Sequence, residues 1–486
     1  MFKRFIKDSA IYGLSTFFAR VVIFLLLPLY TRLLKPEDFG VIELLTIFGN
    51  FINVTVALEI SQALVRHYPD ASTSEDKASY AATSFWFTVF AYTVFLAICT
   101  LFSRTLSLLL LSGAGDQRIF LVSLAATWCF GIFYLVQNQL RVELRSIEYS
   151  VSNLAMNLAG IISTLAFVLL LEWGALGVIG GQLVGNLVGC ILSIYFCRQT
   201  YSLSFDLVKL REMLSFSLPL VFSSIGSAGI LYANRFVLGG LLSLSDVGLL
   251  GVAYRVIAPV NLLVLSVQNA ATPIIFSDYQ KPDSPRELAR VFRFFMAMAL
   301  IALAAMSLFA RELFRIMASP EYQSAVSTTP YLVAAALVSG MTLFTPGLHI
   351  KKNTTMVAVI NILGGIVTIA LSYWLILMIG VNGAAMAALL GNSFVFVLFL
   401  LISQKYYPVP YDFKRVSIAI LLCLLILVGG SLLKEINLVN ISLKVLLLTL
   451  FAAGTILLKL VEKEKIGMAF EQARSRLLML QKTWWN

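Results

Sequence analysis

Written as apolar and polar positions alone, the chain is a series of long apolar runs separated by short polar stretches. Within the runs the apolar residues are continuous rather than alternating, so they do not read as strands of a membrane barrel. Each run holds about 20 mostly apolar residues, the length that crosses a bilayer as an α-helix. The bilayer core offers the backbone no water, and a helix satisfies its polar groups internally. The pattern predicts about fourteen spans, at 9–34, 39–66, 80–103, 119–140, 151–172, 175–198, 213–242, 246–273, 287–309, 326–349, 355–377, 382–403, 414–432 and 440–461. The expected fold class is therefore an all-α polytopic membrane protein. The basic start MFKRFIKD leads into a run too long for a signal-peptide core, with no small-residue cleavage site after it, and reads as an uncleaved first span.

The pattern repeats. LLKPEDFGVIELL (Leu33 to Leu45) lies over LLSLSDVGLLGVA (Leu241 to Ala253), so that Asp38 meets Asp246 and Gly40 meets Gly248 at an offset of 208. Asp70 meets Asp278 at the same offset, and Gly174 to Asn186 lies over Gly380 to Asn392 at an offset of 206. Spans 1–6 and 7–12 thus read as two copies of a six-helix unit, inserted in the same direction about an axis along the membrane normal. The expected organisation is an N-terminal lobe (1–198), a cytoplasmic linker (199–212), a C-terminal lobe (213–403), two additional helices (404–461) and a tail (462–486). In the tail Ile466, Phe470, Ala473, Leu477 and Trp484 recur at helical spacing among Lys465, Arg474, Arg476 and Lys482, the pattern of a basic amphipathic helix on an anionic leaflet. Glycine-rich stretches such as GVIGGQLVGNLVG and GLLG mark places where helices approach closely.

Composition agrees with this reading. Of 486 residues 59% are hydrophobic and only 13% charged, more apolar side chain than a soluble surface could hide. The mean hydropathy is +0.89. A net charge of +11 raises the question of nucleic acid, but the lysines and arginines concentrate on alternate loops and the tail. That asymmetry is a topology signal that places both termini in the cytoplasm, and no nucleic-acid partner is expected. The five cysteines and two histidines share no metal or redox spacing, and no phosphate-binding loop motif occurs. No metal, no cofactor and no direct use of ATP are expected.

Three cations lie inside spans: Arg20, Arg235 and Arg255. A charge near mid-bilayer is expensive and should face a wet or polar interior. Arg20 shares a helical face with Ser9, Gly13 and Thr16; Arg235 with Ser217, Ser224 and Ala228; Arg255 with Ser266 and Asn269. In span 2, Glu43, Thr46, Asn50, Asn53 and Ala57 line up, while Glu59, Gln62 and Arg66 lie on the far side. These stripes suggest a hydrophilic cavity between two bundles. Ion pairing with Glu43 or Glu59 is the competing explanation. The acids are few, with Glu43 near one end of span 2 and Glu59 near the other, so unpaired cations awaiting an anion are expected, and a phosphate suits the arginine fork.

YTRLLKPEDFGVIELL (Tyr30 to Leu45) resembles the first-loop signature of Wzx-type polysaccharide flippases, the O-antigen and capsule exporters of the multidrug/oligosaccharidyl-lipid/polysaccharide superfamily. NRFVLGGLLSLSDVGLLGVAYRV (Asn234 to Val256) resembles the matching second-half segment, with Leu249 and Leu250 where a tyrosine is common. The resemblance implies two six-helix lobes and transport of undecaprenyl-diphosphate-linked oligosaccharide from the cytoplasmic to the periplasmic leaflet of the inner membrane by alternating access. It makes Arg20, Arg235 and Arg255 cavity cations, with Asn50, Asn53 and Asn269 as further substrate contacts. Glu43 and Glu59 are candidates for ion coupling or ion pairing. Membrane lipids, a polysaccharide polymerase and a chain-length regulator are the partners it implies. A drug exporter or a lipid II flippase of the same superfamily, and a membrane glycan polymerase or ligase, are the alternatives. The first span has no acid beyond Asp8, which disfavours a cationic drug, and no outer loop is long enough for a glycan-processing site.

Overall fold

The computed structural model describes residues 21, 22, 24–111, 113, 116–433 and 435–460. The described chain opens with helices α1 (Phe24–Leu33), α2 (Pro36–Thr55), α3 (Ile60–His67), α4 (Ser74–Leu101) and α5 (Ser103–Leu110). Next come α6 (Gln117–Val142), α7 (Ser146–Leu169), α8 (Gly174–Cys197), α9 (Leu207–Leu241) and α10 (Leu244–Val256). They are followed by α11 (Ala258–Asp278), α12 (Ser284–Leu308), α13 (Ala310–Met317), α14 (Thr329–Met341) and α15 (Gly347–Ile350). The last are α16 (Thr354–Ile379), α17 (Val381–Tyr406), α18 (Phe413–Ser431) and α19 (Leu438–Leu457). No strand occurs among the described residues, and 13 segments are long and apolar enough to cross a membrane. The start of the first expected span and the tail helix lie outside the described residues.

Three expected spans are interrupted. Span 2 breaks between α2 and α3, where Leu58 and Glu59 take left-handed backbone conformations at φ 50° and 54°. Non-glycine residues held there cost on the order of 1–3 kcal/mol each. The Ser224 hydroxyl donates to the Glu59 carboxylate at 2.8 Å and helps to hold the break. Span 8 breaks at Ile257, and Pro259 sits in the first turn of α11, where its missing N–H costs nothing. The tenth span, Pro320–Ile350, combines 3-10 turns with α14 and α15. Helix α9, by contrast, runs 35 residues straight through Pro219.

The chain divides into two compact units. The first contains the residues up to Val256, Arg315–Thr328 and Thr355–Val395. Its core packs Tyr92, Phe133, Val136, Leu64 and Leu140 from α3, α4 and α6. Helices α7 and α8 approach to backbone contact: a Cβ on Gly185 would stand 2.8 Å from the Gly160 Cα. Small residues at such a crossing supply van der Waals contact that lipid-facing helices otherwise lack. The 199–212 segment lies against α4, with Ser202 accepting from the Trp86 indole at 3.0 Å, Lys209 on Asp76 at 2.8 Å, and the Tyr201 ring stacked on Phe85.

The second unit holds Ile257–Phe314, Thr329–Thr354 and the residues from Phe396 onward. Phe292, Phe295 and Phe344 form its aromatic centre. On α19, Lys444 is buried to 2% exposure and its Nζ lies 2.6 Å from the Glu312 carboxylate on α13. This intramembrane cation was not among the three expected. Its signal was a lone lysine inside the apolar run LVNISLKVLLLTL, with Glu312 as the one acid in the short helix ARELFRIM.

Candidate functional site

The site begins where α2 and α10 cross, both within the first unit. Gly40 on α2 lies against the backbone of Leu244, and Gly248 on α10 lies against the backbone of Pro36. A Cβ at either position would overlap the facing carbonyl oxygen, so only glycine allows this approach. Both helices start with an acid in the first turn, as the positive end of a helix dipole favours. The Asp38 carboxylate accepts the Lys35 N–H, and Asp246 pairs with the Ser243 hydroxyl.

One turn beyond the crossing stands Glu43, with 12% of its side chain exposed. One carboxylate oxygen lies 3.2 Å from Arg235 Nε, and the other lies 3.0 Å from Arg255 Nη2. The room for this carboxylate comes from Gly251, where a Cβ would stand 3.2 Å from the Glu43 carboxyl carbon. Arg235 is stacked on the Tyr254 ring at 3.6 Å from its centroid, and Arg255 faces the Phe39 ring at 5.1 Å. The amide of Asn234, fully buried, donates to the Tyr254 hydroxyl at 3.0 Å and so holds that ring under Arg235. Phe39 meets Tyr322 edge-on, and Tyr322 donates to the Leu34 carbonyl at 2.8 Å.

The expectation of unpaired cations therefore does not hold for Arg235 and Arg255: Glu43 serves both. The reason is depth. Helices α2 and α10 start side by side, so Glu43 lies level with Gly251, one turn from Arg255 and within reach of its guanidinium. One carboxylate against two guanidiniums still leaves an excess of positive charge, and Arg255 Nη1 is buried with no hydrogen-bond partner among the described residues. Such a cluster can receive a further anion or exchange Glu43 for one.

The remaining expected residues scatter. Arg20 lies outside the described residues. Asn53 accepts from the buried Tyr92 hydroxyl at 2.8 Å. Asn50 lines a cavity of about 250 Å³ with Thr46, Ser123 and Thr127. Glu59 sits at the α2–α3 break, on Ser224. Asn269 is exposed, on α11 of the second unit. Asn234 and Tyr254 were visible only as members of a motif, and their task of orienting Arg235 appears once the two stretches meet. Among the described residues no cluster of histidine, cysteine, aspartate and glutamate could hold a metal, and the five cysteines are free and buried.

Residues 29–327, more than half of the chain, match the model of a family described as polysaccharide biosynthesis protein. The chain belongs to that family. The clamp residues Glu43, Arg235 and Arg255 all fall within the matched region. The fold is shared with solved transporters. The lipid II flippase MurJ in an inward closed conformation superposes with a TM-score of 0.73 at 17% identity, over 91% of this chain and 98% of that one. An inward-facing multidrug resistance MATE family transporter of the MOP superfamily gives 0.64 at 15% identity, over 84% of this chain and 94% of that one. A MOP superfamily transporter from Pyrococcus furiosus gives 0.55 at 15% identity, over 85% and 95% of the two chains. Curated protein sequences give no match. This polysaccharide biosynthesis family member is thus a multi-pass membrane protein whose fold is shared with solved flippases and transporters.

Proposed function

We propose that this member of the polysaccharide biosynthesis family is a flippase for undecaprenyl-diphosphate-linked oligosaccharide, carrying it from the cytoplasmic to the periplasmic leaflet for O-antigen, capsule or exopolysaccharide assembly. The observation that carries the reading is the Glu43–Arg235–Arg255 clamp, a buried and net cationic cluster built from the two stretches that resemble Wzx-type flippases. Two guanidiniums match a diphosphate in charge and in bidentate geometry. Arg20, on the first span, is the third cation proposed to meet the head group. The protein works in the inner membrane with both ends cytoplasmic, and the lobes 1–198 and 213–403 alternate access between the leaflets.

The test is depletion of the protein in cells. One undecaprenyl-diphosphate-linked oligosaccharide should accumulate in the inner leaflet while surface polysaccharide disappears and peptidoglycan synthesis continues. Accumulation of lipid II with arrested peptidoglycan would assign the protein to lipid II instead. No accumulated lipid-linked glycan of either kind would overturn the flippase reading.

A further inference from the structure

Arg255 of the clamp also lines a space that none of the other expected site residues reaches among the described residues. A cavity of about 200 Å³ lies among α1, α2, α7 and α8, with Arg255 in its wall. Its polar lining is Tyr30, Asn157, Thr164, Gln182 and Asn186. Gln182 and Asn186 also line the second cavity, the one that contains Asn50, so the two spaces share a wall. Together they reach the lower part of the range of small-molecule pockets, roughly 300–1,000 Å³.

The chemistry of the lining narrows the occupant. Among the described residues no carboxylate lines either cavity, so neither is built for a cation. An acyl chain would leave the amides without partners, at a cost. The Gln182 side chain has no hydrogen-bond partner among the described residues. Asn157 donates to the Asn153 backbone and Asn186 to the Ala126 carbonyl, which leaves their own amide oxygens free to accept. Amide oxygens, an amide N–H₂ and hydroxyls on an otherwise apolar wall suit a neutral polyol. The Arg255 guanidinium in the same wall suits an anion attached to it.

We propose that this cavity is the sugar subsite of the transporter: Gln182, Asn157 and Asn186 hydrogen-bond the hydroxyls of the glycan residues nearest the diphosphate, while Arg255 holds the phosphate end. This inference rests on the flippase reading and adds where the sugar goes. It is tested with purified full-length protein in lipid nanodiscs and two probes, undecaprenyl diphosphate and the lipid-linked glycan recovered from depleted cells. Gln182→Leu and, separately, Asn157→Leu should weaken binding of the glycan-bearing lipid roughly tenfold, as the loss of one or two hydrogen bonds predicts. Both variants should bind undecaprenyl diphosphate within about twofold of the parent protein. Equal weakening for the two probes, or no change for either, overturns the sugar subsite and leaves the flippase reading standing. Failure of the parent protein to bind either probe removes both.

Discussion

Helices α2 and α10 carry matching stretches of sequence, and they differ where it matters. At an offset of 208, Pro36 corresponds to Leu244, Asp38 to Asp246 and Gly40 to Gly248. Those matched residues make reciprocal contacts, each glycine lying against the first residue of the opposite helix. Beyond the crossing the copies part. Glu43 corresponds to Gly251, and Ile47 corresponds to Arg255. The acid of one copy fits the gap left by the glycine of the other and meets that copy's arginine. The matched positions account for the shape of the crossing, and the differing ones account for its charge.

The largest effect is expected from preventing the two helices from parting. Cysteines at Pro36 and Leu244, once crosslinked, should abolish export, and a reductant should restore it. Full export with the crosslink complete would show that α2 and α10 never separate during transport. Next comes the diverged pair. Glu43→Ala leaves the buried guanidinium of Arg235 and the half-buried one of Arg255 without their counter-ion, which should cost about 3–5 kcal/mol of stability. A thermal melt of purified protein checks this, and Glu43→Asp, which keeps the charge, should recover most of the loss. A melt of the alanine variant identical to the parent would mean that the clamp carries no load. The duplicated feature should respond less. Gly40→Ala forces the helices apart against backbone, and overpacking of this kind costs about 1–3 kcal/mol. The reciprocal Gly248→Ala should lose a similar amount, and a large inequality between the two melts would break the symmetry argued here. The smallest effect is expected inside the first copy alone. Tyr92→Phe removes the hydrogen bond to Asn53 and should cost about 0.5–1.5 kcal/mol without altering the clamp.

Much of the fold was legible because a bilayer demands long apolar runs, and those runs are unambiguous. The α2–α3 break was not, because Leu58 and Glu59 are neither glycine nor proline and nothing local announces a left-handed turn. The break at Ile257 was half legible: Pro259 signals a bend, but not which residue opens it. Glu43, Arg235 and Arg255 could each be picked out as polar residues in apolar surroundings. Their pairing stood in the sequence only as the alternative to unpaired cations, because depth along each separate helix does not show which spans lie side by side. The repeat already contained the answer, since the 208-residue offset sets Glu43 opposite Gly251, one turn from Arg255. Gln182 carries no such mark, as one amide among many is distinguished only by the cavity it faces.

The Lys444–Glu312 pair sets a limit on how the chain can be shortened. By sequence, α18 and α19 are an appendix to the duplicated core, and a minimal transporter could be imagined without them. Yet α19 carries the cation that neutralises Glu312, whose second oxygen is already buried with no hydrogen-bond partner among the described residues. Cutting the chain before α19 would strand that carboxylate in an apolar setting. The twelve-span repeat read from the sequence and the smallest part that can stand alone in a membrane are therefore different objects, and the boundary between them runs through the Lys444–Glu312 pair.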